Sequence, residues 1–298
     1  MSRDLQLETW FSPERVRISR FVFLLAIAEG VTALQATPGI VLHVVLLSWL
    51  AWRSTTTDSE TEGLLLAGLM MLPIMRIASL ILLLGPLPED LWQVSVAVLV
   101  AIAAVVVVRR LHISAQEIGL KSSDLMQQLP LAGIALAVGA IGFALLPEAS
   151  LPLPSRSEAL LAAVFAVVVA TVMEELLLRG FVLMLSVPLL GPLGSLAFSA
   201  LVATSLQLGY GSVSNIALAL GTSIVYGYLV LRSGSILGVV LGHALANVLF
   251  FVLVPMLGAD WLGVALLGMV VGVAAFVGLR LIQRPPSGGL RAGITRVA

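Results

Sequence analysis

The chain has 298 residues, 59% of them hydrophobic and only 11% charged, with 16 basic against 16 acidic side chains and a mean hydropathy of +1.10. A soluble domain carries roughly a quarter charged residues, so an ordinary soluble globular protein is excluded. Zero net charge argues against a nucleic-acid partner, and the absence of cysteine rules out disulfide frameworks, thiolate metal sites and cysteine nucleophiles.

Taken in chain order, the first twenty residues (MSRDLQLETWFSPERVRISR) are too polar for the apolar core of a signal peptide and contain no small-residue cleavage site. The first hydrophobic block is therefore expected in the mature protein. Apolar blocks follow at 18–35, 38–52, 64–84, 91–108, 129–147, 158–178, 181–208, 214–231, 235–256 and 261–282. Most are about as long as the ~20 residues that cross a bilayer core. The expected fold is all-α, a polytopic transmembrane bundle of about ten spans (nine to eleven). The uncertain block is 181–208, where Pro188, Gly191 and Pro192 suggest a short interfacial stretch followed by a span from 193. Polar connections at 53–63, 85–90 and 147–158 carry turn chemistry.

Ten spans put both termini on one side, and the basic residues orient them. With the N-terminus cytoplasmic, 14 of the 16 basic residues fall in cytoplasmic segments; Arg156 lies outside and Arg76 within a span. That asymmetry is the one the positive-inside rule demands. Both termini are thus expected in the cytoplasm, and the membrane is expected to be a prokaryotic cytoplasmic membrane.

The segment 109–130 is the long polar connection. Ile113, Ile118, Leu120, Leu125 and Leu129 recur at mixed spacing, which fits either a short amphipathic helix at the interface or a solvated connector. It separates an N-terminal four-helix extension (1–108) from a second membrane unit (131–256), followed by a C-terminal helix (257–284) and a tail (285–298) of disordered composition.

Charges within apolar blocks carry the functional information, because each costs a few kcal/mol near the bilayer centre. Glu29 and Arg76 are single charges on separate spans, expected to pair or to face a polar cavity and so hold the N-terminal helices in register. His43, alone in its span, is expected to be a hydrogen-bonded neutral imidazole. Glu174, Glu175 and Arg179 come as a set in VMEELLLRGF (172–181). Residues four apart share a helix face, so Glu175 and Arg179 are placed to form a salt bridge. Glu174 lies about 100° around the helix, free to face another span. Two carboxylates at a helix C-terminus stand against the dipole, which a mere end-of-helix cluster does not explain. In GHALANVLFF (242–251), His243 and Asn247 are one turn apart on one face and point two polar heads toward one place, suited to polarising a carbonyl or holding a water.

EELLLRG (174–180) resembles the EExxxRG motif of the CPBP intramembrane proteases, which include CAAX prenyl-protein proteases and bacteriocin-processing enzymes and are also called the Abi family. GYLVLRSGSILGVVLGHALANVLFF (227–251) is similar to the HxxxN motif of that family with its preceding arginine–small–glycine turn. QEIGLKSSD (116–124) resembles the amphipathic lead-in to the family core. The resemblance spans residues 115–256 and leaves the first four spans outside it. Between the two motifs the family carries FxxxH, whereas SALVATSLQL (199–208) puts Ala203 at the Phe and Gln207 at the His; a register one residue later puts Leu208 there. The chain's only histidines are His43, His112 and His243.

The resemblance implies an endopeptidase acting on membrane-associated or prenylated substrates near the cytoplasmic face. Carried over, Glu174 is the water-activating base, organised by Glu175 and Arg179, while His243 and Asn247 form the oxyanion site. Gln207 orients a water through its amide but accepts no proton. The donor set is a poor zinc site, so no cofactor and a metal-independent, glutamate-based mechanism are expected. The alternative is a catalytically impaired relative acting as a membrane binding scaffold, favoured by the glutamine at 207. A transporter would call for paired broken helices at mid-membrane, and the sequence shows none.

Overall fold

The computed structural model describes residues 13–84, 89–121, 125–144, 157–210, 212–257 and 261–282. Among them there is no strand, and each of the apolar blocks read from the sequence falls on a helix. The helices are α1 (Pro13–Leu34), α2 (Ala36–Thr56), α3 (Glu60–Leu69), α4 (Met71–Leu83), α5 (Glu89–Arg110), α6 (Leu125–Ala144), α7 (Ser157–Glu175), α8 (Leu185–Gln207), α9 (Val213–Ser233), α10 (Leu237–Val248), α11 (Val254–Leu257) and α12 (Trp261–Ile282). Two π-helical segments, Leu176–Met184 and Leu249–Leu253, continue α7 into α8 and α10 into α11. Four stretches are long and apolar enough to cross a membrane: Ala36–Thr56, Glu60–Leu82, Ala163–Gln207 and Val213–Ser233. Large apolar side chains such as Phe23, Val45, Val270 and Val273 face outward, as a bilayer solvent allows. The tail 285–298 and the connections at 85–88 and 145–156 lie outside the described residues.

Helix ends follow local chemistry. The Ser59 hydroxyl accepts from the Glu62 N–H at the start of α3, and Ser212 does the same for Asn215 at the start of α9. Gly234, at φ 69°, closes α9 in the left-handed conformation. Within α8 the break expected around Pro188–Pro192 sits at Gly191, whose φ 69° and ψ 170° are open to glycine alone. Before that break the block prolongs α7 through the π segment.

Of the two readings of the connector, the helical one is not what forms. Residues 111–121 form a tight turn, not an amphipathic helix. The Glu117 N–H donates to Ser114 Oγ at 3.3 Å, and the Ser114 N–H donates to Glu117 Oε2 at 2.7 Å, a bond that holds the Glu117 carboxyl below the usual carboxylate range. Gly119, at φ 70°, stops helical continuation. Ile113 and Ile118 are buried instead of lining a surface stripe. The turn is pinned to the start of α10, where the Ile236 N–H donates to the Gly119 carbonyl at 2.9 Å.

The N-terminal helices are not a separate body. One apolar core joins Ile18, Phe21, Leu65 and Leu69 to Leu177, Phe181, Val202 and Leu206. Arg17 of α1 forks onto Glu62 of α3 at 2.6 and 2.7 Å, and the Thr57 hydroxyl donates to the same carboxylate. On the other side, α6 packs through small residues. A Cβ on Gly242 would meet the Ala132 carbonyl, one on Gly139 would meet Ala246, and those on Gly268 and Gly272 would meet Ala140 and Ala137. Such close backbone approach is the usual basis of helix association in lipid.

Candidate active site

Glu174 and Glu175 end α7, and the chain then widens into the π segment that contains Arg179. Such π segments concentrate at functional sites because they re-aim side chains. Glu175 is fully buried. Its Oε2 lies 3.2 Å from Arg179 Nε, and its Oε1 lies 2.6 Å from His243 Nδ1. Arg179, 2% exposed, also donates from Nη2 to Ser223 Oγ at 3.3 Å and sits over the Tyr226 ring at 5.5 Å. Tyr226 is held in turn by donation of its hydroxyl to the Ala135 carbonyl at 2.9 Å, with its ring 5.2 Å from that of His243. The Ser199 hydroxyl of α8 donates to the Leu178 carbonyl inside the π segment at 2.9 Å.

A second contact lies one turn before Glu175. Asn247 Nδ2 donates to Thr171 Oγ1 at 2.8 Å, and the Thr171 hydroxyl donates to the Val167 carbonyl at 2.8 Å. Thr171 and Glu175 are four apart on α7, as His243 and Asn247 are on α10. Because 171 meets 247 and 175 meets 243, the two helices run antiparallel where they touch.

Glu174 points elsewhere. It is exposed, and its side chain borders a cavity of about 480 Å³ that Thr171, Arg179, Gln207, Tyr226, His243 and Asn247 also line. Leu72, Met75, Val96 and Val100 of the N-terminal helices and Leu218 and Ala219 of α9 form apolar walls. The structure therefore brings together at one cavity all the candidates except Glu175, which is buried behind it; at the second motif Gln207, not Leu208, borders the cavity. Among the described residues no group of three or more His, Asp or Glu side chains is gathered as a metal site requires.

Residues 156–249 match the family model described as Type II CAAX prenyl endopeptidase Rce1-like. This stretch is Rce1-like. The match agrees with the CPBP resemblance of the two motifs and contains every candidate residue of the cavity from Glu174 to Asn247. The long apolar helices make the chain an integral membrane protein, and residues 156–249 are similar to a family of prenyl endopeptidases. The chain matches no curated protein and no solved structure.

The Rce1-like stretch contains three contributors that the sequence reading missed. Thr171, Ser223 and Tyr226 are uncharged and unremarkable in an apolar helix, and only packing shows what they hold. Outside the stretch, Glu29 and Arg76 are paired, Arg76 Nη2 to Glu29 Oε2 at 2.6 Å. His43, expected to be hydrogen-bonded, has neither ring nitrogen in a hydrogen bond; its Nε2 stands 3.5 Å from Glu29 Oε1. Arg76 also borders the cavity.

Proposed function

We propose that the chain is an intramembrane endopeptidase in which Glu174 activates the water. The observation that carries this reading is the common cavity of Glu174, Gln207, His243 and Asn247, together with the separate commitment of Glu175 to Arg179 and His243. One carboxylate is thereby neutralised and used as a support, while its neighbour stays available for proton transfer.

In this reading the Glu174 carboxylate takes a proton from water as the water oxygen bonds to the scissile carbonyl carbon. Gln207 holds that water through its amide. The developing oxyanion accepts from the Asn247 amide and from His243 Nε2–H. Collapse breaks the C–N bond, and Glu174 returns its proton to the leaving amine. An ionised Glu175 only accepts hydrogen bonds, so the His243 proton at Nδ1 is fixed, and donation from Nε2 requires the imidazolium form. Thr171 fixes the Asn247 amide by the hydrogen bond described above. The proposed substrate is a membrane-associated peptide segment, with a prenylated CAAX-type C-terminus indicated by the family description. We put the cut near the cytoplasmic face because the positive-inside rule assigns Arg179 to a cytoplasmic segment.

The replacement of the expected histidine by Gln207 favours a second reading, a binding scaffold on the protease fold. A peptidase assay on purified protein separates the two. Glu174→Ala should abolish cleavage, and Gln207→His should raise it by up to the ~10²–10⁴ of a general base. If neither wild type nor Gln207→His cleaves any peptide while wild type binds a membrane partner independently of Glu174, the scaffold reading holds.

A further inference from the structure

The helices before residue 109 lie outside the Rce1-like stretch, yet they carry a buried charged cluster that reaches the cavity. Glu29 of α1 is fully buried, Arg76 of α4 is 7% exposed, and the two are in contact at 2.6 Å. Intramembrane charges are costly enough that they persist where something uses them. Apolar residues of matched volume would hold α1 to α4 equally well or better, so joining two helices does not by itself account for the pair.

The backbone immediately after Gln207 shows where the pair acts. α8 ends at Gln207, and a single 3₁₀ turn, Leu208–Tyr210, leads on toward α9. In that turn Gly209 is packed so tightly that an added Cβ would run into both the Arg76 guanidinium and the Glu29 carboxylate. The ion pair thus sits directly against the corner that carries Gln207, and α1 packs along both α8 and this turn. Gln207 itself borders the cavity, as does Arg76.

We infer that the Glu29–Arg76 pair is a positioning element for Gln207, so that the N-terminal helices are part of the site. The pair forms a rigid, polar buttress in which glycine at 209 is required by the close approach. Its effect on the water at Glu174 is exerted through the Gln207 amide. The role of that water rests on the peptidase reading; the placement of the corner does not.

The 298-residue chain contains no cysteine, so a single Gln207→Cys reports the corner directly through its rate of modification by a small water-soluble thiol reagent. Glu29→Gln with Arg76→Gln removes both charges without leaving one buried alone. This neutralised pair should change the modification rate at position 207 by about fivefold or more, the scale of a coupling near 1 kcal/mol between touching groups. Thr222→Cys, which borders the cavity on α9 away from the corner, should keep its rate within about twofold. Gly209→Ala, which leaves every charge in place, should reproduce the effect at 207 and covers the case in which the neutralised pair fails to fold. Unchanged rates at 207 in both backgrounds, or equal changes at 207 and 222, overturn the inference. Where cleavage is measurable, the loss caused by the neutralised pair should vanish in a Gln207→Ala background, and an equal loss there also overturns it. A failure of the peptidase reading removes only this last comparison and leaves the labelling result standing.

Discussion

Arg179 concentrates the energetics of the site in one side chain. It is among the largest fully buried side chains of the described residues, and it faces Glu175, Ser223 and Tyr226 at once. Truncating it strands a buried carboxylate, so Arg179→Ala should cost about 3–5 kcal/mol. Thermal unfolding in detergent should show a large fall in Tm for Arg179→Ala and recovery of most of it when Glu175→Gln is combined with Arg179→Met. Equal Tm values for Arg179→Ala and wild type would show that the pair is not buried as described. The Glu175–Arg179 contact was legible in the sequence because a four-residue spacing fixes a shared helix face. The partnership of Glu175 with His243, 68 residues later, was not. Periodicity tells which face of a helix a residue occupies, but nothing about which other helix meets that face. For the same reason Thr171 escaped notice, being one threonine among many with no charge to mark it.

At the scale of elements, small residues decide how the site helices meet. On α10, Gly238, Gly242 and Ala246 recur every four residues and bring its backbone against α6. The Gly238 N–H donates to Gln128 Oε1 at 2.7 Å, which fixes the register of that contact. Gly242 directly precedes His243, so Gly242→Val should force α10 off α6 and move the imidazole away from Glu175. Overpacking of this kind costs about 1–3 kcal/mol, and the ¹⁵N chemical shifts of the His243 ring should report the lost bond at Nδ1. A valine variant with unaltered ring shifts would contradict this packing. Contact directions follow from the same pairs. Residues 132 and 139 meet 242 and 246, so α6 and α10 run parallel, whereas 137 and 140 meet 272 and 268, so α6 and α12 run antiparallel. Alternating crossings require these directions for the blocks 129–147, 235–256 and 261–282, and the opposed α7 and α10 fit the block 158–178 as well. The π segments had no sequence signal. They lie around Arg179 and just after Asn247, and helix periodicity carries no trace of one extra residue in a turn.

For the whole molecule, composition alone specified an apolar helical bundle, and the apolar blocks became helices, with the block 64–84 divided between α3 and α4. The division of the chain did not read as simply. The first four blocks look like an appendage in sequence, but Phe21 lies against Phe198 with ring centroids 6.4 Å apart, and the shared core runs through both parts. A chain truncated before Leu111 should therefore expose Phe181, Phe198 and Val202 and aggregate during size-exclusion chromatography in detergent. A monodisperse truncated protein would show that the Rce1-like part is self-sufficient. The cavity between the two parts has a consequence for anything that enters it. Its walls come from both of them, Leu72, Met75, Val96 and Val100 before residue 109 and Glu174, Gln207, His243 and Asn247 after it. The Rce1-like stretch holds the polar groups but only part of the wall. Whatever occupies the cavity therefore also touches helices from outside that stretch, so its fit is decided by two parts of the chain at once.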